Sequence, residues 1–360
     1  MLLKNDGSLL PLDKQKYHHI LVTGPLAEAT SYAISRYGPS HLSVISAEQG
    51  LRDYLGNAAV VDYAKGCEMV DSAWPESELI PTPLNATEQA GIDEAVAKAR
   101  QSDLIVAVLG EDEKRVGEGM SRTGLDLPGR QEKLLEALQA TGRPVVLVLI
   151  NGQPLTINWA NRYVPAILEA WFPNSYGGLA IAETLFGDNN PGGKLTITFP
   201  KTTGEIEWNF PYKPGSQPAK RDNHTAVFGP IYPFGYGLSY TAFEYSNLTV
   251  TPEEQRPQGD ITVSVDVTNT GNRKGDEVVQ LYVHDEVSSV TIYEEQLRGF
   301  ERVALAAGEK KTVTFTLHPD DLSLLDKNMV WRVEPGKFEA LIGSSSADIK
   351  LKKEFTITEN

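Results

Sequence analysis

The chain has 360 residues, 41% of them apolar, which is enough for two or three separately cored domains. Lys and Arg total 33 against 48 Asp and Glu, a net charge of −15 that argues against a nucleic-acid binder, which needs a basic face to neutralise phosphates. No run approaches the ~18 apolar residues of a membrane span, and the single cysteine, Cys67, excludes intrachain disulfides and cysteine-based metal clusters.

The opening residues, MLLKNDG, lack the basic, apolar and small-residue succession of an export signal. From residue 15 to about 200, short aliphatic runs recur at 20–22, 104–109, 145–150, 166–170 and 195–199. Runs of this length bounded by Gly, Pro and Asp predict strands buried on both faces of a sheet. Between them, Leu42, Ile45, Leu51 and Leu55 predict a helix over 40–55, and Ile92, Val96 and Ala99 one over 88–100. Leu134, Leu135 and Leu138 predict a helix over 130–140, stopped at Thr141 and Gly142, and a shorter one is predicted over 177–186. Alternation of this kind implies an α/β domain over 1–200, a largely parallel sheet sandwiched by helices.

Residues 201–244 lose all period and are rich in Pro, Gly and aromatics, too aromatic for a free linker, so an ordered tether is expected there. From 245 to 360 the period becomes two, as in ITVSVDV (261–267), VQLYV (279–283) and VTFTL (313–317), with turns such as NTGN (269–272). Roughly seven such strands predict a separate all-β sandwich of the immunoglobulin or fibronectin type III kind.

Ligands of an open α/β sheet bind beyond the carboxyl ends of its strands. The most unusual loop at such an end is GEDEKRVGEGMSRTG (110–124), with four carboxylates, three cations and four glycines. Its acidity opposes a phosphate cradle, and it carries no dinucleotide or Walker spacing, so no nucleotide cofactor is expected. A carboxylate on a glycine-rich loop suits general acid/base work, because neighbouring carboxylates raise its pKa and glycine lets substrate approach. The same composition describes a solvated, salt-bridged turn, and composition does not separate the two.

Motifs around this loop are more specific. KNDGSLLPL (4–12), EGMSRT (118–123), LPGRQ (127–131), VLINGQPL (148–155), AWFPN (170–174), GDNNPGGKL (187–195) and YPFGYGLSY (232–240) occur in this order, with EQLRGFER (295–302) beyond them. Together they resemble the C-terminal half of glycoside hydrolase family 3, the β-glucosidase and β-xylosidase family, over essentially the whole chain. The resemblance implies a retaining β-glycosidase in which a TIM barrel carries the aspartate nucleophile and the α/β domain contributes a glutamate acid/base. By its place before Ser121, Arg122 and Thr123, the matching residue is Glu118; Glu111, at the strand end, is the second candidate. Arg122 is expected to orient the loop or a carboxylate. The barrel and its nucleophile motif are not in this sequence, so a barrel domain or chain is the expected partner, a β-glycoside the expected substrate, and the chain alone is expected to be inactive. The alternative is a non-catalytic carbohydrate-binding or assembly module of the same fold, which would need no barrel.

The remaining reactive side chains carry less. Cys67 is expected to be an inert, partly buried thiol. The six histidines form no metal spacing, and neither metal nor cofactor is expected. Trp171 follows a strand end and could stack on a sugar, although a core role is the commoner one. His224, Phe228, Tyr232, Phe234 and Tyr236 could approach a site but are expected to serve packing.

Overall fold

A computed structural model describes residues 1–31, 38, 42–204, 209–216 and 229–359. Packing divides the chain into two compact units, Met1–Asn189 with Lys201–Thr203, and Asn190–Pro200 with Gly204–Asn360.

The first unit contains, in chain order, β1 (Leu2–Asn5), β2 (His19–Thr23), α1 (Ala47–Leu55), β3 (Val60–Ala64), α2 (Ala86–Gln101), β4 (Leu104–Gly110), α3 (Gln131–Gln139), β5 (Val145–Ile150), α4 (Asn158–Tyr163), β6 (Ala166–Glu169) and α5 (Gly177–Phe186). The sheet runs β1-β6-β5-β4-β2-β3. Strands β2 to β6 are parallel, and β1 lies antiparallel along β6. Every residue of β4 and β5 is buried, as an aliphatic strand covered on both faces must be. The chain steps outward from β2 to β3 and then returns past β2 to β4. With right-handed crossovers this reversal puts α1 with α5 on one face and α2 with α3 on the other, matching the contacts α1 makes with α5 and α2 with α3. It also makes the carboxyl ends of β2 and β4 a topological switch point, where α/β sheets hold their ligands. Helices α1 and α5 meet at glycines: a Cβ on Gly50 would lie 2.1 Å from the carbonyl carbon of Gly178.

Two expected elements differ. The helix expected over 40–55 begins only at Ala47, because Ser46 caps it, its Oγ accepting from the Gln49 N–H at 3.1 Å. Leu42 and Ile45 precede the cap, and Ser40 lies outside the described residues. The run 195–199 is no strand. Leu195 and Phe199 are buried, but their N–H groups donate to Tyr236 O at 2.8 Å and Tyr232 O at 2.9 Å, the second forming only an isolated bridge. The Gly-rich turn before this run and Pro200 after it leave no room for a ladder.

The second unit contains β7 (Phe243–Thr251), β8 (Glu254–Gln255), β9 (Ile261–Asn269), β10 (Gly275–Asp285), β11 (Gln296–Leu305), β12 (Lys310–Leu317), α6 (Pro319–Leu322), β13 (Leu324–Leu325), β14 (Trp331–Arg332), β15 (Gly336–Ser345) and β16 (Asp348–Ile357). Seven of these strands are eight residues or longer. Sheets of order β11-β10-β15-β16-β8 and β12-β9-β7 enclose one core, including Val263, Val265, Leu281, Phe338 and Phe355. Alternation along β9, buried at every odd position, is the period-two pattern made physical. Phe210 stacks on Phe234 at 4.6 Å and meets Tyr282 edge-on at 5.6 Å, and Tyr232 stacks on Tyr236 at 5.1 Å. These aromatics belong to the second unit; His224 and Phe228 lie outside the described residues.

Candidate active site

Three parallel strands end in polar side chains. Glu111 follows β4, Asn151 follows β5, and Glu169 closes β6, each fully buried or nearly so at the carboxyl edge of the sheet. The chain leaves β4 through Gly110 at φ +136°, where a Cβ would sit 2.0 Å from the Ile150 carbonyl oxygen, so only glycine fits. Buried Gln131, at the start of α3, closes the gap: its Oε1 accepts from Gly110 N–H at 2.7 Å and its Nε2 donates to Gly110 O at 2.9 Å.

Glu111 Oε1 accepts from Arg122 Nη1 at 2.5 Å and Gln153 Nε2 at 2.8 Å, while its Oε2 is buried without a partner. Burial pushes the Glu111 carboxyl above its ordinary value, against the opposing pull of Arg122 and Gln153. Arg122 is itself buried and reaches three ways, also donating from Nε to Glu78 Oε1 at 2.7 Å and from Nη2 to Asp126 O at 2.8 Å. Glu78, from the loop between β3 and α2, takes Thr123 N–H at 3.2 Å, Thr123 Oγ1 at 2.6 Å and Trp74 Nε1 at 3.1 Å. Burial opposes its ionisation, but the donors from Thr123, Arg122 and Trp74 hold its carboxyl below the usual range. Glu169 accepts from Trp171 N–H at 2.6 Å and Asn151 Nδ2 at 3.2 Å, and burial pushes it up to about 8.

The 110–124 loop is therefore tied at both ends. Asp112 pairs with Arg115, whose guanidinium lies 5.5 Å from the Trp74 ring centre, and Val116 packs against Gly152. Arg122 and Thr123 fix the other end. Between them Gly117, Glu118, Gly119 and Met120 are exposed. The Met120 N–H donates to Gly117 O at 3.0 Å, and Gly119, at φ +72°, occupies the third turn position where a type II turn needs positive φ. Glu118 thus sits second in a tight turn, carried outward on a loop whose ends are anchored.

The sequence-derived candidates separate into two settings. Glu111 and Arg122 come together as a buried ion pair, whereas Glu118 stands on the exposed turn. Trp171 is half-buried with its backbone at φ +52°, its N–H turned to Glu169. Cys67 is buried, and burial pushes its thiol up to about 12, leaving it a poor nucleophile. Glu78, Gln131, Asn151, Gln153 and Glu169 complete the site, and the sequence does not mark them as site residues. For Glu111, Asn151 and Glu169 the signal is a lone carboxylate or amide at the carboxyl end of an unbroken aliphatic run.

The first unit thus offers an α/β sheet with a ligand edge at its switch point and an acidic loop, the second a β-sandwich, and comparison with known proteins gives the family. The glycosyl hydrolase family 3 C-terminal domain matches residues 1–240, and a fibronectin type III-like domain matches residues 277–346. The chain belongs to glycosyl hydrolase family 3. It is 40% identical to a β-xylosidase of Formosa agariphila over 98% of this chain and 48% of that protein. It is 39% identical to a periplasmic β-glucosidase of Salmonella typhimurium over 97% of this chain and 48% of that protein. Among solved structures, a β-glucosidase of Erythrobacter marinus superposes with a TM-score of 0.89 at 35% identity, over 99% of this chain and 49% of that one. The Listeria innocua β-glucosidase in complex with glucose gives 0.86 at 31% identity, over 99% and 48%. The chain spans about half the length of the relatives it matches.

Proposed function

We propose that this chain is the acid/base-bearing half of a retaining β-glycosidase acting on terminal β-glucosides or β-xylosides, with Glu118 as acid/base and the nucleophile on a barrel domain or chain. The observation that carries the reading is the setting of Glu118: exposed, on a glycine turn, on a loop anchored on both sides. Retaining chemistry needs two carboxyl groups about 5–5.5 Å apart across the sugar, one acting as acid and then base. An acid/base must project from its own fold to meet a nucleophile from another. Glu111, the second candidate, is less suited, since its bonded oxygen is engaged by Arg122 and Gln153 and the side chain is fully buried. In this reading Arg122 and Glu78 are positioning residues that fix the loop and do not touch substrate. Leu79, Ile80 and Tyr176, exposed on the loops leaving β3 and β6 at the same edge of the sheet as the 110–124 loop, suit a face that a barrel covers.

The assay is turnover of aryl β-glucosides and β-xylosides by the chain alone and by the chain combined with a family 3 barrel. The chain alone is expected to be inactive and the combination active at enzymatic rates, on the order of 1–10³ per second. Equal turnover by a preparation free of any barrel would overturn the division of labour.

A further inference from the structure

The second unit has surface features that the proposed reaction does not use. Asp326 ties the turn between β13 and β14: its Oδ1 accepts from the N–H groups of Asn328 at 2.8 Å and Val330 at 3.0 Å, and its Oδ2 pairs with Arg332 Nε at 2.8 Å. Its own N–H donates to Val330 O at 3.0 Å, and Met329 N–H donates to Asp326 O at 2.9 Å. This rigid turn holds three consecutive apolar residues in solvent, Met329 at 75% exposure, Val330 at 48% and Trp331 at 68%. Exposure of that kind on a pre-organised tip marks a recognition surface, because a frayed loop would fold its apolar groups back.

Trp331 also forms a wall shared by two hollows. One, of about 680 Å³, is lined by Tyr293, Phe210, Gln296, Arg298 and Asp321; the other, of about 710 Å³, by Gln258, Ser323, Arg332 and Glu334. Volumes of this size are those of small-ligand sites. Arg298 donates from Nη2 to Gln296 Oε1, but its Nε–H is buried with no acceptor, so an oxygen-rich occupant would lower the cost of burying this cation. Both signs of charge line the walls, Lys213, Arg298 and Arg332 against Asp285, Asp320, Asp321 and Glu334, a mixed field that suits a neutral occupant better than a polyion. An indole platform flanked by planar amide, carboxylate and guanidinium groups is complementary to a pyranose, whose C–H face stacks on the ring while its hydroxyls exchange hydrogen bonds at the edges.

From this geometry we infer that the second unit carries a saccharide site, in which a neutral oligosaccharide lies across Trp331 with sugar units in the hollows on either side. This site is separate from Glu118 and needs no nucleophile, so it stands or falls independently of the proposed reaction. The test is calorimetric titration of the full chain with cellotetraose, xylotetraose, laminaritetraose and maltotetraose, repeated on Trp331→Ala and Tyr293→Ala. Both side chains are solvent-exposed, and circular dichroism checks that each variant folds. At least one sugar is expected to bind the parent chain with millimolar affinity, as a shallow site on a single platform gives, and Trp331→Ala to weaken it about 10-fold. Tyr293→Ala is expected to weaken it less. No heat from any sugar at about 10 mM overturns the inference. So does binding that survives Trp331→Ala, which would locate the sugar elsewhere, the Glu118 loop included. Self-association abolished by Trp331→Ala without any sugar binding would make the tip a protein contact and equally overturn it.

Discussion

Replacing Arg122 by Ala tests the buried network beneath the loop. Arg122 and Glu111 are both within 2% of full burial, and Arg122 also pairs with Glu78 and Asp126 O. Removing the cation leaves Glu111, whose second oxygen already lacks a partner, as an uncompensated buried carboxylate. Breaking a buried pair by deleting one member costs about 3–5 kcal/mol, a large part of the 5–15 kcal/mol that holds a typical domain folded. Because burial raises the Glu111 carboxyl and Arg122 opposes that rise, losing Arg122 moves it further up. A raised carboxyl contributes stability that is complete below the unfolded value and is lost as pH rises through the folded one. The penalty of Arg122→Ala is therefore greatest at neutral pH and shrinks toward pH 5. Adding Glu111→Gln to the variant removes the stranded charge and is expected to recover about 1–3 kcal/mol. Native-state hydrogen exchange of the β4 and β5 amides at both pH values reads the first unit directly. A loss below about 1 kcal/mol, a pH-independent loss, or no recovery in the double variant would refute the reasoning.

Three further outcomes follow from the same geometry. Gly110→Ala places a methyl 2.0 Å from Ile150 O at a φ that side chains avoid, and should cost about 3 kcal/mol or more by thermal melting. Glu169, raised to about 8 by burial, contributes stability that is complete below about pH 4.3 and is lost as pH rises through 8, so Glu169→Gln should flatten the decline in Tm between pH 6 and 9. Cys67, buried with its thiol pushed up to about 12, should react with a disulfide reagent only at the rate of unfolding.

The fold was legible where one rule dominated. Unbroken aliphatic runs marked β4, β5 and β6, and strict alternation marked β9 and β12, because burial on two faces or one leaves these patterns directly in the sequence; the run 279–283 of β10 is buried at every position. Reading failed where a local signal met a competing constraint. Helical spacing extended α1 back to residue 40, but Ser46 supplies a cap that starts it seven residues later. The run 195–199 has strand composition, yet Pro200 and the preceding turn leave it no ladder to join. In the candidate site, Glu111, Glu118 and Arg122 were visible because one loop carries them all. Glu78 was not, since it reaches Arg122 across 44 residues of sequence and nothing local distinguishes it from a surface glutamate. Glu169 and Asn151 become meaningful only once β5 and β6 are seen to end side by side.

The most direct test of the central claim is the leaving-group dependence of Glu118→Ala in a form that carries the barrel, fused or co-expressed. A group acting as acid and then as base should matter most where the leaving group needs a proton. General acid/base help is commonly worth 10²–10⁴-fold. Unactivated β-glycosides should therefore lose turnover by about that factor, while activated aryl glycosides keep much of their first step. Added azide should restore the second step and yield a glycosyl azide of retained configuration, because a small anion needs no base. Equal losses on both substrate classes with no azide product would contradict the assignment, and Glu111→Gln in the same comparison would then decide whether the buried carboxylate is the acid/base.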